Sequence, residues 1–310
     1  MKGYTGKIVA TGSYIPKEVW DNDKLATMVE TSDEWIYERT GIRRRHIASV
    51  TDTTQMAIEA AKKTMEDSNG FSPENIDAII VCTITAEGPI PAIACAVQGA
   101  IGASNAFCWD LNAACSGFVY AYNTCVSFMN MGVIKNALIV SSEKLSEITN
   151  WQDRSTCILF GDGAGAVLVS AVEDNTAMYM KGDGKRSEAV VMSEDNKMIM
   201  DGQQIFKFAV KTVPDCVSKM LERLEMDKEE IDYYILHQAN RRIIESVAKK
   251  MGENIEKFPM NMEEYGNTSS ASIPILLDEL RKSSVLKEGQ KLILVGFGGG
   301  LTWGAGYLTV

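Results

Sequence analysis

Three side chains, far apart along the chain, are of the types that together perform thioester chemistry: Cys115 in NAACSGF, His237 in HQAN and Asn267 in YGNTSS. Seven cysteines (Cys82, Cys95, Cys108, Cys115, Cys125, Cys157 and Cys216) are scattered without a Cys-x-x-Cys pair, so neither a zinc ribbon nor a redox dithiol motif is written in the chain. Cys115 alone sits among small residues, Ala113, Ala114 and Gly117, at the start of a stretch with apolar spacing near 3.6. That pattern puts the thiol at a helix amino terminus, where unpaired N–H groups are expected to lower its pKa and favour a nucleophilic thiolate. His237 ends the apolar run YYIL, and it is one of only two histidines. The glycine run Gly298-Gly299-Gly300 offers backbone donors unobstructed by side chains, as an oxyanion hole requires.

The elements that must bring these groups together repeat. Ile76-Asp77 opens IDAIIVCT as Ile231-Asp232 opens IDYYILHQ, and Ala137–Val140 (ALIV) is matched by Leu292–Val295 (LILV), both at an offset of 155 residues. Each of these units reads as a short buried strand. Between them lie NAACSGFVYAYNTCVSFM in one half and NTSSASIPILLDEL in the other, which read as buried helices entered through tight turns, and each half closes on a glycine-rich turn and a last strand. The offset places Asn112 on Asn267 and Cys115 on Ser270. Such alternation implies an α/β fold of mixed sheets with helices on both faces, in two fused halves expected at 1–171 and 172–310.

Bulk properties narrow the function. A chain of 310 residues, 45% hydrophobic and 23% charged, has ample material for a large core. A net charge of −10 argues against a nucleic-acid partner, and no apolar run reaches the ~18 residues of a membrane span. The amino terminus shows no secretory pattern, and unpaired cysteines suit a reducing compartment, so a cytoplasmic location is expected.

The motifs TSDEWIYERTGIRRRHI (31–47), NAACSGF (112–118), FGDGAGAVL (160–168), HQANRRI (237–243), YGNTSSASIP (265–274) and GFGGGLTWGAG (296–306) together resemble the β-ketoacyl-acyl-carrier-protein synthase III family over nearly the whole chain. The resemblance implies a thiolase-like fold in five α-β-α-β-α layers and a decarboxylative condensation that starts fatty-acid synthesis. It carries over Cys115, His237 and Asn267 as the catalytic set, with the backbone N–H groups of Cys115 and Gly299 as the oxyanion hole. It further implies acyl-CoA and malonyl-acyl-carrier protein as partners, a homodimer, and no cofactor or metal, the coenzyme A thioester being a substrate. Trp35, Arg39, Arg154, Gly202 and Asn240 become the coenzyme A site, Ile90 a primer gate, and Lys207, Arg242, Lys249 and Lys250 the carrier-protein docking face.

The residues bear on several of these readings independently. Ser32 is placed to cap a short helix that Gly41 stops, bringing Trp35 and Arg39 to one face at i, i+4. His46, in an arginine run, reads as a solvated or interface residue, which leaves Cys-His-Asn in place of a Cys-His-His set. Phe208 and the apolar spacing from Val210 to Leu221 read as a tunnel roof or as core, and the stretch 181–200 reads as short and polar. Two rivals stand beside the condensing enzyme: a special-purpose condensing or acyl-transfer enzyme of polyketide or signalling metabolism, and a thiol hydrolase in which His237 acts as general base.

Overall fold

The computed structural model describes residues 2–310, and the apolar runs form the centre of a mixed nine-stranded sheet. Ala78–Cys82 lies between Phe107–Leu111 and Asn136–Glu143, parallel to both, followed by the antiparallel strands Gly163–Asn175 and Lys2–Tyr14. In the second half Tyr233–Leu236 runs parallel to Lys291–Gly298, which pairs antiparallel with Thr302–Thr309, and Met178–Gly182 joins that last strand. The halves are stitched where Gly6 and Lys7 pair with Leu308 and Thr309.

The sequence offset is structural. Five pairs of elements begin 155 residues apart: the short 3-10 turns Pro73–Asn75 and Lys228–Glu230, the strands Ala78–Cys82 and Tyr233–Leu236, the turns Ala114–Ser116 and Ser269–Ala271, the helices Gly117–Asn130 and Ser272–Lys282, and the strands Asn136–Glu143 and Lys291–Gly298. Strand alternation distributes apolar side chains to three cores. Ile79, Val81, Leu138 and Val140 face the outer helices Thr53–Asp67 and Ile93–Ile101. Ala78, Ile80, Ile139, Ile235, Leu292 and Leu294 face the two inner helices. Tyr234, Leu236, Ile293 and Val295 face the other outer pair, Gly202–Leu224 and Arg241–Met251. Helix, sheet, helix, sheet, helix is the five-layered order expected of a thiolase-like fold. On this correspondence we propose the division into halves 1–171 and 172–310, with the junction inside Gly163–Asn175, the strand that carries the chain across it. No helix of the described residues is long and apolar enough to cross a membrane.

Candidate active site

The two inner helices are entered through matching elbows. Asn112 Oδ1 accepts from the Ala114 N–H at 3.2 Å, and its counterpart Asn267 Oδ1 accepts from the Ser269 N–H at 2.9 Å. In each elbow the residue so held takes a left-handed conformation, Ala114 at φ 46° and Ser269 at φ 51°, although neither is glycine. Non-glycine residues held there cost of order 1 kcal/mol or more, and such strain collects at functional turns. The first elbow delivers Cys115 and the second delivers Asn267. Gly298, which ends its strand beside the first elbow, has no room for a side chain: a Cβ there would lie 2.7 Å from Cys115 Cβ and 3.1 Å from its sulfur.

Cys115, His237 and Asn267 all line one cavity of about 600 Å³, together with Gly298 and Gly299. With Asn267 Oδ1 tied to its own elbow, the Nδ2 end of the amide is left for the cavity; the assignment follows from the hydrogen-bond network. His237 is buried, edge-on to Phe297, with its Nδ1 2.7 Å from Ser272 Oγ. Burial pushes the imidazole down to about 3, weakly opposed by the Ser269 backbone, so the ring is neutral at physiological pH. Among the described residues, no turn or loop carbonyl takes the backbone N–H of Cys115 or of Gly299.

The expected lowering of the Cys115 pKa is overturned. Burial pushes the thiol up to about 11, with the Ser269 side chain working in the opposite sense and the Glu143 charge adding to the rise. Holding a thiol at about 11 where it would ordinarily titrate near 9 costs its thiolate about 2.7 kcal/mol. A helix terminus supplies typically ~0.3–1 kcal/mol, ~2 at most, so desolvation prevails and the resting pair is thiol and neutral imidazole. Glu143 is itself buried and accepts from Ser270 Oγ at 2.6 Å.

At the cavity mouth the short helix Asp33–Thr40 is capped by Ser32, whose Oγ accepts from the Trp35 N–H at 3.2 Å, and is stopped by Gly41 at φ 77°. The Arg39 guanidinium stacks 4.1 Å from the Trp35 ring centre and that of Arg154 lies 4.7 Å from it, while Arg154 also donates to the Glu30 carbonyl. Trp35, Arg39, Gly202 and Asn240 line the mouth. Asn240 has structural work as well: its Oδ1 caps the helix Arg241–Met251 and its Nδ2 donates to the Arg39 carbonyl. Lys207 and Arg242 border the opening, whereas Lys249 and Lys250 lie exposed at the far end of that helix. None of these four cations forms an ion pair among the described residues.

Other expectations fall elsewhere. Ile90 is 85% exposed and does not line its own chain's cavity. His46 is turned away from the site, donating through Nδ1 to the Pro16 carbonyl at 2.6 Å. Phe208 packs in the outer core; the part of its helix that roofs the cavity is the first turn, through Ile205 and Phe206. Within the polar stretch 181–200 a hairpin forms, Val190–Met192 against Met198–Met200, and Val190, Met198 and Met200 supply an apolar wall. The alternating VVM and MIM flanking a polar SEDNK turn carried that signal. Ser269, also unanticipated, lines the cavity with a buried hydroxyl that works against the rise of the Cys115 thiol.

With this geometry established, comparison with known proteins is specific. The family described as 3-Oxoacyl-[acyl-carrier-protein (ACP)] synthase III matches residues 109–184, and its C-terminal part matches 221–310. A β-ketoacyl-[acyl-carrier-protein] synthase III of Clostridium acetobutylicum is 45% identical, over 96% of this chain and 97% of its own length. The crystal structure of 3-oxoacyl-[acyl-carrier-protein] synthase III from Aquifex aeolicus superposes with a TM-score of 0.95 at 44% identity, covering 98% of this chain and all of the other. The priming β-ketosynthase of the R1128 polyketide biosynthetic pathway superposes at 0.94 with 30% identity, covering 99% of this chain and 97% of the other.

Proposed function

We propose, since the chain belongs to the β-ketoacyl-acyl-carrier-protein synthase III family, that it condenses an acyl-CoA primer with malonyl-acyl-carrier protein through an acyl-Cys115 intermediate, starting fatty-acid synthesis in the cytoplasm. The observation that carries this reading is the meeting of Cys115, His237 and Asn267 in one apolar-walled cavity. Cys115 sulfur attacks the thioester carbonyl, and the N–H groups of Cys115 and Gly299 hold the oxyanion. The carbon–sulfur bond to coenzyme A breaks, and the proton lost by Cys115 ends on the departing sulfur. Malonyl thioester then loses CO2. The enolate oxygen takes hydrogen bonds from neutral His237 and from Asn267 Nδ2, which need no charge to donate. The enolate carbon attacks the acyl-enzyme carbonyl, the carbon–sulfur bond to Cys115 breaks, and the departing sulfur takes a proton from solvent to restore the resting thiol. Coenzyme A thioester is a substrate here, and no cofactor enters the balance.

Trp35, Arg39 and Arg154 are proposed to receive the adenine and phosphates, with Gly202 and Asn240 along the pantetheine path. Lys207, Arg242, Lys249 and Lys250 form the proposed docking face for an acidic carrier protein. A homodimer is proposed through the free edge of Phe107–Leu111, where Phe107 is 44% exposed and stacks on Trp109; Ile90 would act as a gate from the second chain. The rival specialised role draws on the R1128 ketosynthase, whose 30% identity falls below the 44% and 45% of the fatty-acid relatives.

The test is incubation with labelled acyl-CoA and malonyl-carrier protein. Release of CO2 with a ketoacyl product is expected. Free fatty acid alone would instead establish the hydrolase.

A further inference from the structure

Behind His237, on the side away from the cavity, one hydroxyl is in contact with the ring. Ser272 Oγ lies 2.7 Å from His237 Nδ1 and accepts from the Gln238 backbone N–H at 3.2 Å. Both residues are buried, and Ser272 Oγ has no other hydrogen-bond contact among the described residues. The amide of Gln238 is an obligatory donor, so the hydroxyl oxygen is already accepting and its single hydrogen needs an acceptor. Among the described residues Nδ1 is the one acceptor in hydrogen-bond contact with Ser272 Oγ. Were Nδ1 protonated instead, two donors would converge on Oγ while the hydroxyl hydrogen stayed buried and unpaired, an arrangement native interiors avoid. The loop cannot slide to relieve this, because the buried Gln238 side chain pins it: Nε2 donates to the Leu236 carbonyl at 2.8 Å and Oε1 accepts from Asn261 N–H at 3.0 Å.

Internal symmetry supports the assignment. At the offset of 155, His237 corresponds to Cys82 and Ser272 to Gly117, and that pair also touches: a Cβ on Gly117 would lie 3.1 Å from Cys82 Cβ. The same contact occurs in both halves, but the hydroxyl is present only where the partner is an imidazole.

We propose that Ser272 is a positioning residue: its hydroxyl donates to His237 Nδ1 and holds the ring as the Nε2–H tautomer. The nitrogen facing the cavity is then a donor and has no lone pair with which to take a proton. Ser272 thereby commits His237 to holding a developing enolate oxygen and withdraws it from service as a general base toward water or Cys115. The kinetic consequence rests on the condensing reading above; the tautomer itself does not.

The chain provides its own control. His46 donates through Nδ1 to the Pro16 carbonyl, which accepts only, and its Nε2 lies 3.6 Å from Glu264 Oε1, so acceptors face its ring where a hydroxyl faces Nδ1 of His237. Nitrogen-15 NMR of the histidine-labelled wild-type protein, with signals assigned by a His46→Gln variant, should show His237 protonated at Nε2. A Nδ1-protonated His237 overturns the proposal whatever the enzyme's reaction proves to be. In Ser272→Ala the His237 signals should move toward a tautomer mixture. Malonyl decarboxylation should then fall roughly ten- to a hundredfold, in line with the loss of an oriented donor, while acyl-enzyme formation, followed by mass spectrometry, changes far less. Ser272→Thr, which keeps the hydroxyl, should restore the tautomer and most of the rate. Equal loss of both half-reactions, with the His237 tautomer unaltered, would also overturn it.

Discussion

A desolvated but partly exposed thiol beside a buried imidazole gives the site a pH dependence unlike that of a thiolate–imidazolium pair. With Cys115 pushed up to about 11, its thiolate fraction rises about tenfold per pH unit through neutrality. Alkylation of Cys115 by iodoacetamide, followed peptide by peptide, should therefore climb log-linearly from about pH 7 to 9; a plateau near neutrality would mean that the helix terminus prevails after all. His237 makes a complementary prediction for stability. Its pKa is depressed to about 3 in the folded state against an ordinary 6.5, so the unfolded chain binds the extra proton between those values. Stability is thus intact above about pH 6.5 and lost as pH falls toward 3, by ~2 kcal/mol at about pH 5. Denaturant titrations should show a shallower acid decline for His237→Asn than for the parent chain; identical slopes would place the acid sensitivity in carboxylates held below their ordinary range by cations, Glu253 beside Lys228 and Lys257 among them.

At the level of elements, the proposed catalytic set is held by the abutment of a strand end on an elbow, and adjacent glycines there are not equivalent. A Cβ on Gly298 would meet Cys115 at 2.7 Å, whereas one on Gly299 would make ordinary contacts of 3.5 Å with Ala114 and Val190. Gly298→Ala should cut acyl-enzyme formation on the order of a hundredfold, the scale expected when a nucleophile is displaced by about an ångström, and Gly299→Ala should cost far less; the reverse order would mean the elbow yields where the strand does not. The hairpin wall makes a second prediction. Met198 and Met200 are flexible apolar fillers, so replacing both with Ala should shift an acyl-CoA chain-length profile toward longer primers. The sequence concealed this wall because Val190, Met198 and Met200 are dispersed through a polar stretch, and only the pairing of two short strands sets them side by side. The elbows were legible for the opposite reason: small residues, an asparagine and a periodic apolar run stand together locally in each half. The Cys115 pKa was misjudged because a helix start can be seen in a sequence, but the depth of burial above it is set by Gly298 and Ser269, which come from other elements.

Across the whole molecule, the duplication could be read from two short matches because buried strands tolerate few residue types, and the offset then fixed where the second elbow had to fall. Surface charge has no such constraint. On a chain of net charge −10, the helix Arg241–Met251 carries Arg242, Lys249 and Lys250 exposed and without an ion pair among the described residues, with Lys207 facing the same opening from the neighbouring helix. Part of this has a local cause, since cations at a helix carboxyl terminus offset its dipole by ~0.3–1 kcal/mol each. That term predicts a small stability loss on reversal and no change in substrate discrimination. Docking predicts more: attraction between a basic face and an acidic carrier raises the association rate and is screened over about 8–10 Å at moderate salt. Lys249 and Lys250 do not line the cavity, so Lys249→Glu with Lys250→Glu separates the two terms. The double variant should raise KM for malonyl-carrier protein by about tenfold, a cost of ~1.4 kcal/mol, leave acylation by acyl-CoA near its original rate, and flatten the fall of kcat/KM with added salt. Equal effects on carrier-bound and coenzyme A-bound substrates would assign the basic face to helix stabilisation alone.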